Sequence, residues 1–178
     1  MNQNNCKEII IDAAERMLWE LGNVIDCCYD SKMPEGFWDK PFCGMPVWRH
    51  VYHTLHSLDR WLINPAVYEP AMPFAGEVPS DLDTPLEVRM SPEQLVEYKE
   101  AVYTKVREYV MGIDESGLLE KPVGCKHTRF TLILGQMRHL HTHMGMLMGF
   151  VIGESGLWPA VLGTTREIPV GKYNKFWE

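Results

Sequence analysis

Basic residues are scarce in this sequence, and no stretch of the chain concentrates them. Its 178 residues include 17 lysines and arginines against 24 aspartates and glutamates, which leaves a formal net charge of −7 at pH 7. A nucleic-acid surface needs clustered basic side chains that neutralise phosphates, and the basic residues here are scattered. The composition therefore argues against a nucleic-acid partner.

Long apolar runs are lacking as well. No segment approaches the roughly 20 consecutive apolar residues that cross a bilayer, so we expect no membrane partner. The first five residues, Met1 to Asn5, lack the basic and apolar regions of a signal peptide. We therefore expect a cytoplasmic protein.

Cysteine is sparse and irregularly spaced, and several common catalytic motifs are missing. The five cysteines form neither a CxxC pair nor an even framework, so we expect reduced thiols rather than disulfides. There is no P-loop, GxGxxG or GxSxG motif. In the zincin pattern HExxH the place of the glutamate is taken by Leu140, which removes the built-in general base of those proteases.

Four amphipathic segments are the main feature that the chain does have. Apolar residues recur at steps of three and four over residues 5–29, 47–63, 91–112 and 130–153, with Ser91, Pro92 and Gln94 forming a helix start. The stretch from Asn64 to Met90 contains five prolines and no periodicity. We predict a single domain over residues 1–178: an all-α four-helix bundle with a long crossover loop between helices 2 and 3 and a C-terminal tail from about residue 154.

The fourth helix carries a pair of histidines at a spacing that suits a metal ion. His139 and His143 stand four residues apart, so both rings project from one face of a helix, whereas His141 projects from another. Neutral imidazole is a ligand for zinc, nickel, copper and iron. Two ligands are too few for tight binding, so a third must come from elsewhere in the bundle.

The second helix offers three candidates for that third ligand, His50, His53 and His56. On a helical wheel His53 lies opposite the centre of the apolar stripe, while His50 and His56 lie nearer its edges. Periodicity alone therefore leaves the choice open and disfavours His53.

Two sequence motifs resemble those of the DinB-like (DinB/YfiT-like) metalloenzyme superfamily. The segments are Val47-Trp48-Arg49-His50-Val51-Tyr52-His53-Thr54-Leu55 and Gln136-Met137-Arg138-His139-Leu140-His141-Thr142-His143-Met144-Gly145. In that family a helix-2 motif W…YHxL and a helix-4 motif RHxxxHxG supply three histidines to one divalent ion. The resemblance implies the same bundle fold and a metal site formed by His53, His139 and His143, with His141 outside it.

The resemblance also implies a chemistry. Characterised relatives of this kind activate a low-molecular-weight thiol for transfer, or use the same ion in isomerases and hydrolases. We therefore expect a divalent cofactor such as zinc, nickel or iron, and a metal-dependent thiol S-transferase or hydrolase in which a coordinated thiol or water attacks a small-molecule substrate. For substrate selection we consider the 64–90 loop with Trp38, Trp48 and Tyr52, and for a general base Asp39 or Asp59.

Two other classes of function remain as alternatives. One is a non-catalytic metal- or small-ligand-binding protein, for example a stress-response dimer in which the ion orders the bundle. The other is a helical interaction module whose histidines hold no ion. We expect Trp158 and Trp177 of the tail on the outside of the bundle. Exposed aromatic residues of this kind could cover a second copy, so a homodimer is a further expectation.

Overall fold

The computed structural model describes residues 5–169, 172–173 and 175–177, and within them four long helices dominate. Helix α1 spans Cys6–Cys28, α2 Val47–Trp61, α3 Pro92–Gly112 and α4 Arg129–Ser155. The prediction of four helices in these places is confirmed. None of the helices that the structure describes is both long and apolar enough to cross a membrane.

Local sequence signals explain where the helices begin and end. Asn5 and Ser91 form capping boxes with Glu8 and Gln94, and Thr128 caps α4 by accepting from the amide of Thr131. These side chains satisfy amide groups that have no partner within the helix. Helix α4 ends at Gly156, whose φ of 70° is the left-handed conformation that terminates helices.

The helices pack as a four-membered bundle around one apolar core. The main helix–helix contacts join both α1 and α2 to both α3 and α4. A small antiparallel hairpin, β1 (Pro41–Phe42) and β2 (Met45–Pro46), precedes α2 and was not predicted from the sequence. Its strands have only two residues each, too few for an alternating pattern to be visible.

The crossover between α2 and α3 covers one side of α2. It contains a 3-10 turn at Pro73–Gly76 and buries Ala75 and Met90. As a result, every residue of α2 from Val47 to Asp59 is buried except His53, which is half-buried. From Val47 to Asp59, helix α2 is thus covered on every face, and only its last two residues, Arg60 and Trp61, are exposed.

The tail packs against α1 through a short antiparallel ribbon. Ala160 donates its amide to the carbonyl of Lys175 at 2.8 Å, and the side chain of Asn23 donates to both of their carbonyls. Phe176 is buried, whereas Trp158 and Trp177 are exposed on the outside of the bundle, as predicted.

Candidate metal site

The three predicted ligands meet at the interface between α2 and α4. The Nε2 atom of His143 lies 3.2 Å from Nε2 of His53 and 3.1 Å from Nε2 of His139. One ligand nitrogen from each ring lies within 4.8 Å of the other two. The structure therefore brings together one histidine from α2 and the helical pair from α4.

The separations of 3.1 and 3.2 Å from His143 to its two neighbours fit a single metal ion. Nitrogen ligands about 2.0–2.1 Å from an ion, at octahedral to tetrahedral angles, lie about 2.8–3.4 Å from one another. A neutral imidazole has only one N–H, so three facing Nε2 atoms cannot all be satisfied by hydrogen bonds among themselves. A cation placed between them would satisfy all three lone pairs, so this group could hold a metal ion.

The tautomer of His53 is set by the crossover loop. Its Nδ1 atom lies 2.6 Å from the carbonyl oxygen of Ser80, which can only accept, so the proton is on Nδ1. The lone pair of Nε2 is then directed toward α4. A backbone carbonyl that orients a ligating imidazole in this way is a common outer partner of metal sites.

The environment keeps the two α4 histidines neutral. Although His139 is exposed, partial desolvation by the surrounding protein, followed by the neighbouring His53, lowers its pKa below the usual value. Burial and the adjacent histidines lower the pKa of His143 to about 4. Both rings are therefore unprotonated near neutral pH, which is the form that binds metals.

The other histidines do not join this group. His50 and His56 are buried, and their Nε2 atoms hydrogen-bond the carbonyls of Phe42 at 2.6 Å and Ala75 at 3.0 Å. His141 is exposed, and its Nδ1 bonds the carbonyl of Met137 on its own helix. Its side chain thus lies outside the site, as the resemblance implies.

The wheel argument against His53 is wrong, because it assumed that the face opposite the apolar stripe meets solvent. That face is covered by the crossover loop. The loop-facing side of α2 carries four side chains, at positions i, i+3, i+4 and i+7, that donate to carbonyls of the loop. They are Arg49, Tyr52, His53 and His56. His53 lies between this loop and α4, with Ser80 at one ring nitrogen and His143 at the other.

The carboxylates considered as general bases are used elsewhere. The side chain of Asp59 is fully buried, and it accepts hydrogen bonds from the hydroxyls of Tyr68 and Tyr98 at 2.8 and 2.9 Å. Asp39 forms a bidentate pair with Arg89. Neither joins the histidine group, and no Asp, Glu or Cys within the described ranges does.

The aromatic residues considered for substrate selection are structural in this fold. Trp38 and Trp48 are buried, and the indole of Trp38 donates to the carbonyl of Met90. Tyr52 is fully buried and donates to the carbonyl of Val78. Both contacts attach the crossover loop to the bundle, so these side chains are not free to contact a substrate.

A different aromatic group, which the sequence did not reveal, lies along the α2–α4 interface. Phe42 of the hairpin stacks on Phe150 of α4 with ring centroids 4.5 Å apart, and its ring lies 4.8 Å from that of His50. Phe150 is two helical turns beyond His143 on the same side of α4. Its helical position is readable from the sequence, but the partner from the hairpin is not.

No protein-family model, no curated protein and no solved structure matches the chain.

Proposed function

We propose that this protein is a metal-dependent enzyme of the DinB-like superfamily, which activates a thiol, or alternatively water, on a divalent ion held by His53, His139 and His143. The observation that carries the proposal is the convergence of three Nε2 atoms, with separations of 3.1 and 3.2 Å between neighbours. The four helices and the two sequence motifs support the family assignment.

The ion would supply Lewis acidity. Three protein ligands leave at least one coordination position open, and coordination lowers the pKa of a bound thiol or water toward neutral pH. The residues of the chain orient this chemistry: His53 presents Nε2 because Nδ1 donates to Ser80, and the lowered pKa values of His139 and His143 keep both rings available.

Thiol activation is favoured over hydrolysis by the composition of the site. Water attack profits from a nearby base that removes the second proton, and the described part of the chain places no carboxylate in the histidine group. A thiol loses its single proton on coordination and needs no such base. The substrate is then a small electrophile that accepts the sulfur.

Metal content tests the first half of the proposal. Protein purified without a His tag and loaded with Zn²⁺ should retain about one ion per chain after desalting, measured by elemental analysis. The His53→Ala/His139→Ala/His143→Ala variant should retain none. His127→Ala and His141→Ala are matched controls and should retain as much as the parent. Equal metal in the triple variant would contradict the site.

Turnover tests the second half. The zinc-loaded protein is assayed with a panel of low-molecular-weight thiols and with epoxides or chloro-dinitro aromatics as electrophiles. We expect thiol consumption that stops when a chelator is added and that His143→Ala abolishes. Metal binding without turnover across the panel would instead favour a non-catalytic metal-binding protein.

A further inference from the structure

Four side chains of α2 hold the crossover loop by its backbone carbonyls. The guanidinium of Arg49 donates from Nη2 to Asp81 at 2.7 Å, and the hydroxyl of Tyr52 donates to Val78 at 2.8 Å. His53 donates to Ser80 at 2.6 Å. His56 bonds Ala75 at 3.0 Å, farther back along the loop. Three of these four contacts fall within residues 78–84, which we call the loop clamp.

Arg49 is an unusual choice for a purely structural contact. Its side chain is 1% exposed, and no carboxylate contacts it in the part of the chain that the structure describes. Neither Nε nor Nη1 has a hydrogen-bond partner there. Burial lowers the pKa of Arg49, because a buried charge is costly, and the negative charge of Asp81 offsets only part of this effect. Such a cost is expected where the contact serves a function.

The loop clamp is also organised internally. The carboxylate of Asp81 accepts from the amides of Asp83 at 3.0 Å and Thr84 at 2.6 Å, which folds this stretch into a tight turn. The turn presents the carbonyl of Asp81 to Arg49, while the adjacent Ser80 carbonyl meets His53. Movement of the turn would therefore move both acceptors together.

His53 links this loop clamp to the metal position. One ring nitrogen contacts the loop clamp and the other faces His143, so the ring has the loop on one edge and the site on the other. Withdrawal of the Ser80 carbonyl would free the ring to rotate and to exchange its tautomer. Rotation would move Nε2 away from the site, and the change of tautomer would place the proton on Nε2 and remove the lone pair that faces α4.

We propose that the loop clamp, residues 78–84, and the metal ion stabilise each other, with Arg49 as the positioning residue that acts through Ser80 and His53. The inference rests on the proposed metal site and adds regulation of it by loop order. Coupling of two binding events is reciprocal: if the docked loop strengthens metal binding, metal binding must strengthen loop docking. Conditions or ligands that release the loop would therefore release the metal.

Hydrogen exchange on the full chain tests the reciprocal effect. Saturating Zn²⁺ should slow amide exchange in residues 78–84 by about ten-fold or more, without comparable slowing in α3, which does not contribute a ligand. Two outcomes are distinct. Failure of the parent protein to bind Zn²⁺ would overturn the proposed function, whereas tight Zn²⁺ binding with unchanged exchange in residues 78–84 would overturn only the coupling.

Variants test the role of Arg49. Arg49→Met keeps much of the apolar stem and removes the donors, and it should weaken Zn²⁺ binding by about 10- to 100-fold, as loss of an outer-shell partner does. Arg60→Met removes an exposed charge from the same helix and should leave the affinity unchanged. Tyr52→Phe keeps the ring and frees only the Val78 carbonyl. It should weaken binding about three- to ten-fold even if Arg49→Met does not fold.

The tautomer of His53 shows whether Arg49 positions the ring or only stabilises the fold. In ¹⁵N-labelled apoprotein, His53 should be observed with its proton on Nδ1, and Arg49→Met should shift the ring toward a mixture of tautomers. A variant that lost stability alone would keep the parent tautomer in its folded fraction. If folded Arg49→Met and Tyr52→Phe both kept the parent tautomer of His53 and the parent affinity for Zn²⁺, the positioning role of Arg49 would be overturned.

Discussion

At the scale of single residues, His143 is the centre of the candidate metal site. Its Nε2 lies within 3.2 Å of the Nε2 atoms of both other histidines, and its pKa is lowered to about 4. The i, i+4 spacing on α4 explains its approach to His139, and the packing of α2 against α4 explains its approach to His53. Helix geometry thus brings together two candidate ligands, and tertiary packing adds the third.

Asp59, one of the two carboxylates considered as a general base, has structural partners instead. Its carboxylate accepts from two tyrosine hydroxyls and from the amide of Ala71, and it pairs with Lys105. We predict that Asp59→Asn lowers the free energy of unfolding by about 3 kcal/mol, because it leaves buried partners unpaired. Urea denaturation followed by circular dichroism measures this loss.

A matched substitution at an exposed ion pair provides the control. Asp12 pairs with Arg16 on the surface of α1, and Asp12→Asn should cost less than about 1 kcal/mol. Bound Zn²⁺ per folded chain should be unchanged in both variants. A loss of metal with unchanged stability in Asp59→Asn would show that Asp59 acts at the site after all.

At the scale of elements, the packing of the C-terminal tail against α1 depends on Gly22. A Cβ atom at Gly22 would overlap the hydroxyl of Tyr173 and lie 2.5 Å from its ring. That ring packs near Trp19, and its hydroxyl accepts from Lys99 at 3.3 Å. The absence of a side chain at Gly22 therefore lets the tail approach the helix.

The same substitution in two helices should have opposite effects. A Cβ atom added at Gly149 in α4 would meet no other atom within 4 Å, so Gly149→Ala should raise the free energy of unfolding by about 0.5–1 kcal/mol through helix propensity. Gly22→Ala gains the same propensity but displaces Tyr173, and we expect it to lower the free energy of unfolding. Urea denaturation measures the free energy of unfolding of both variants. Equal stabilisation by both would contradict the docking of Tyr173.

At the scale of the whole molecule, buried neutral histidines make stability depend on pH. His50 and His56 are 2% and 3% exposed, and burial, the largest influence, lowers the pKa of each below the usual 6.5. The unfolded chain takes up protons near pH 6.5, and the folded chain does so only at lower pH. The contribution of these histidines to the free energy of unfolding is therefore fully present above pH 6.5 and falls as the pH drops below it.

We predict that the free energy of unfolding, measured by urea denaturation in a chelator, is lower at pH 5.5 than at pH 7.5. Each histidine contributes at most about 1.4 kcal/mol per pH unit to the slope of the free energy of unfolding against pH. His56→Gln can still donate to Ala75 and carries no titratable proton, so its slope should be shallower. His127→Gln changes an exposed histidine and should keep the parent slope. A parent protein equally stable at both pH values would contradict the prediction.

Much of this architecture is local and could be predicted from the sequence. Each helix end is specified by residues close to it in the chain, such as the caps Asn5 and Ser91 and the glycine after α4. The apolar periodicity of each helix is likewise contained within that helix. The β1–β2 hairpin could not be predicted in the same way, because its short strands are stabilised by packing against α2 and not by their own pattern.

The candidate metal site was likewise predictable only in part. By itself the sequence determined that His139 and His143 share a face of one helix, because their spacing is a property of the helix alone. The motif resemblance named His53 as the third residue although helical periodicity disfavoured it, and only the tertiary structure shows why His53 approaches the pair. That outcome depends on the path of the crossover loop, which covers the polar face of α2, holds His53 through Ser80 and leaves its other nitrogen facing α4. Contacts between residues so far apart along the chain leave no periodic trace in it.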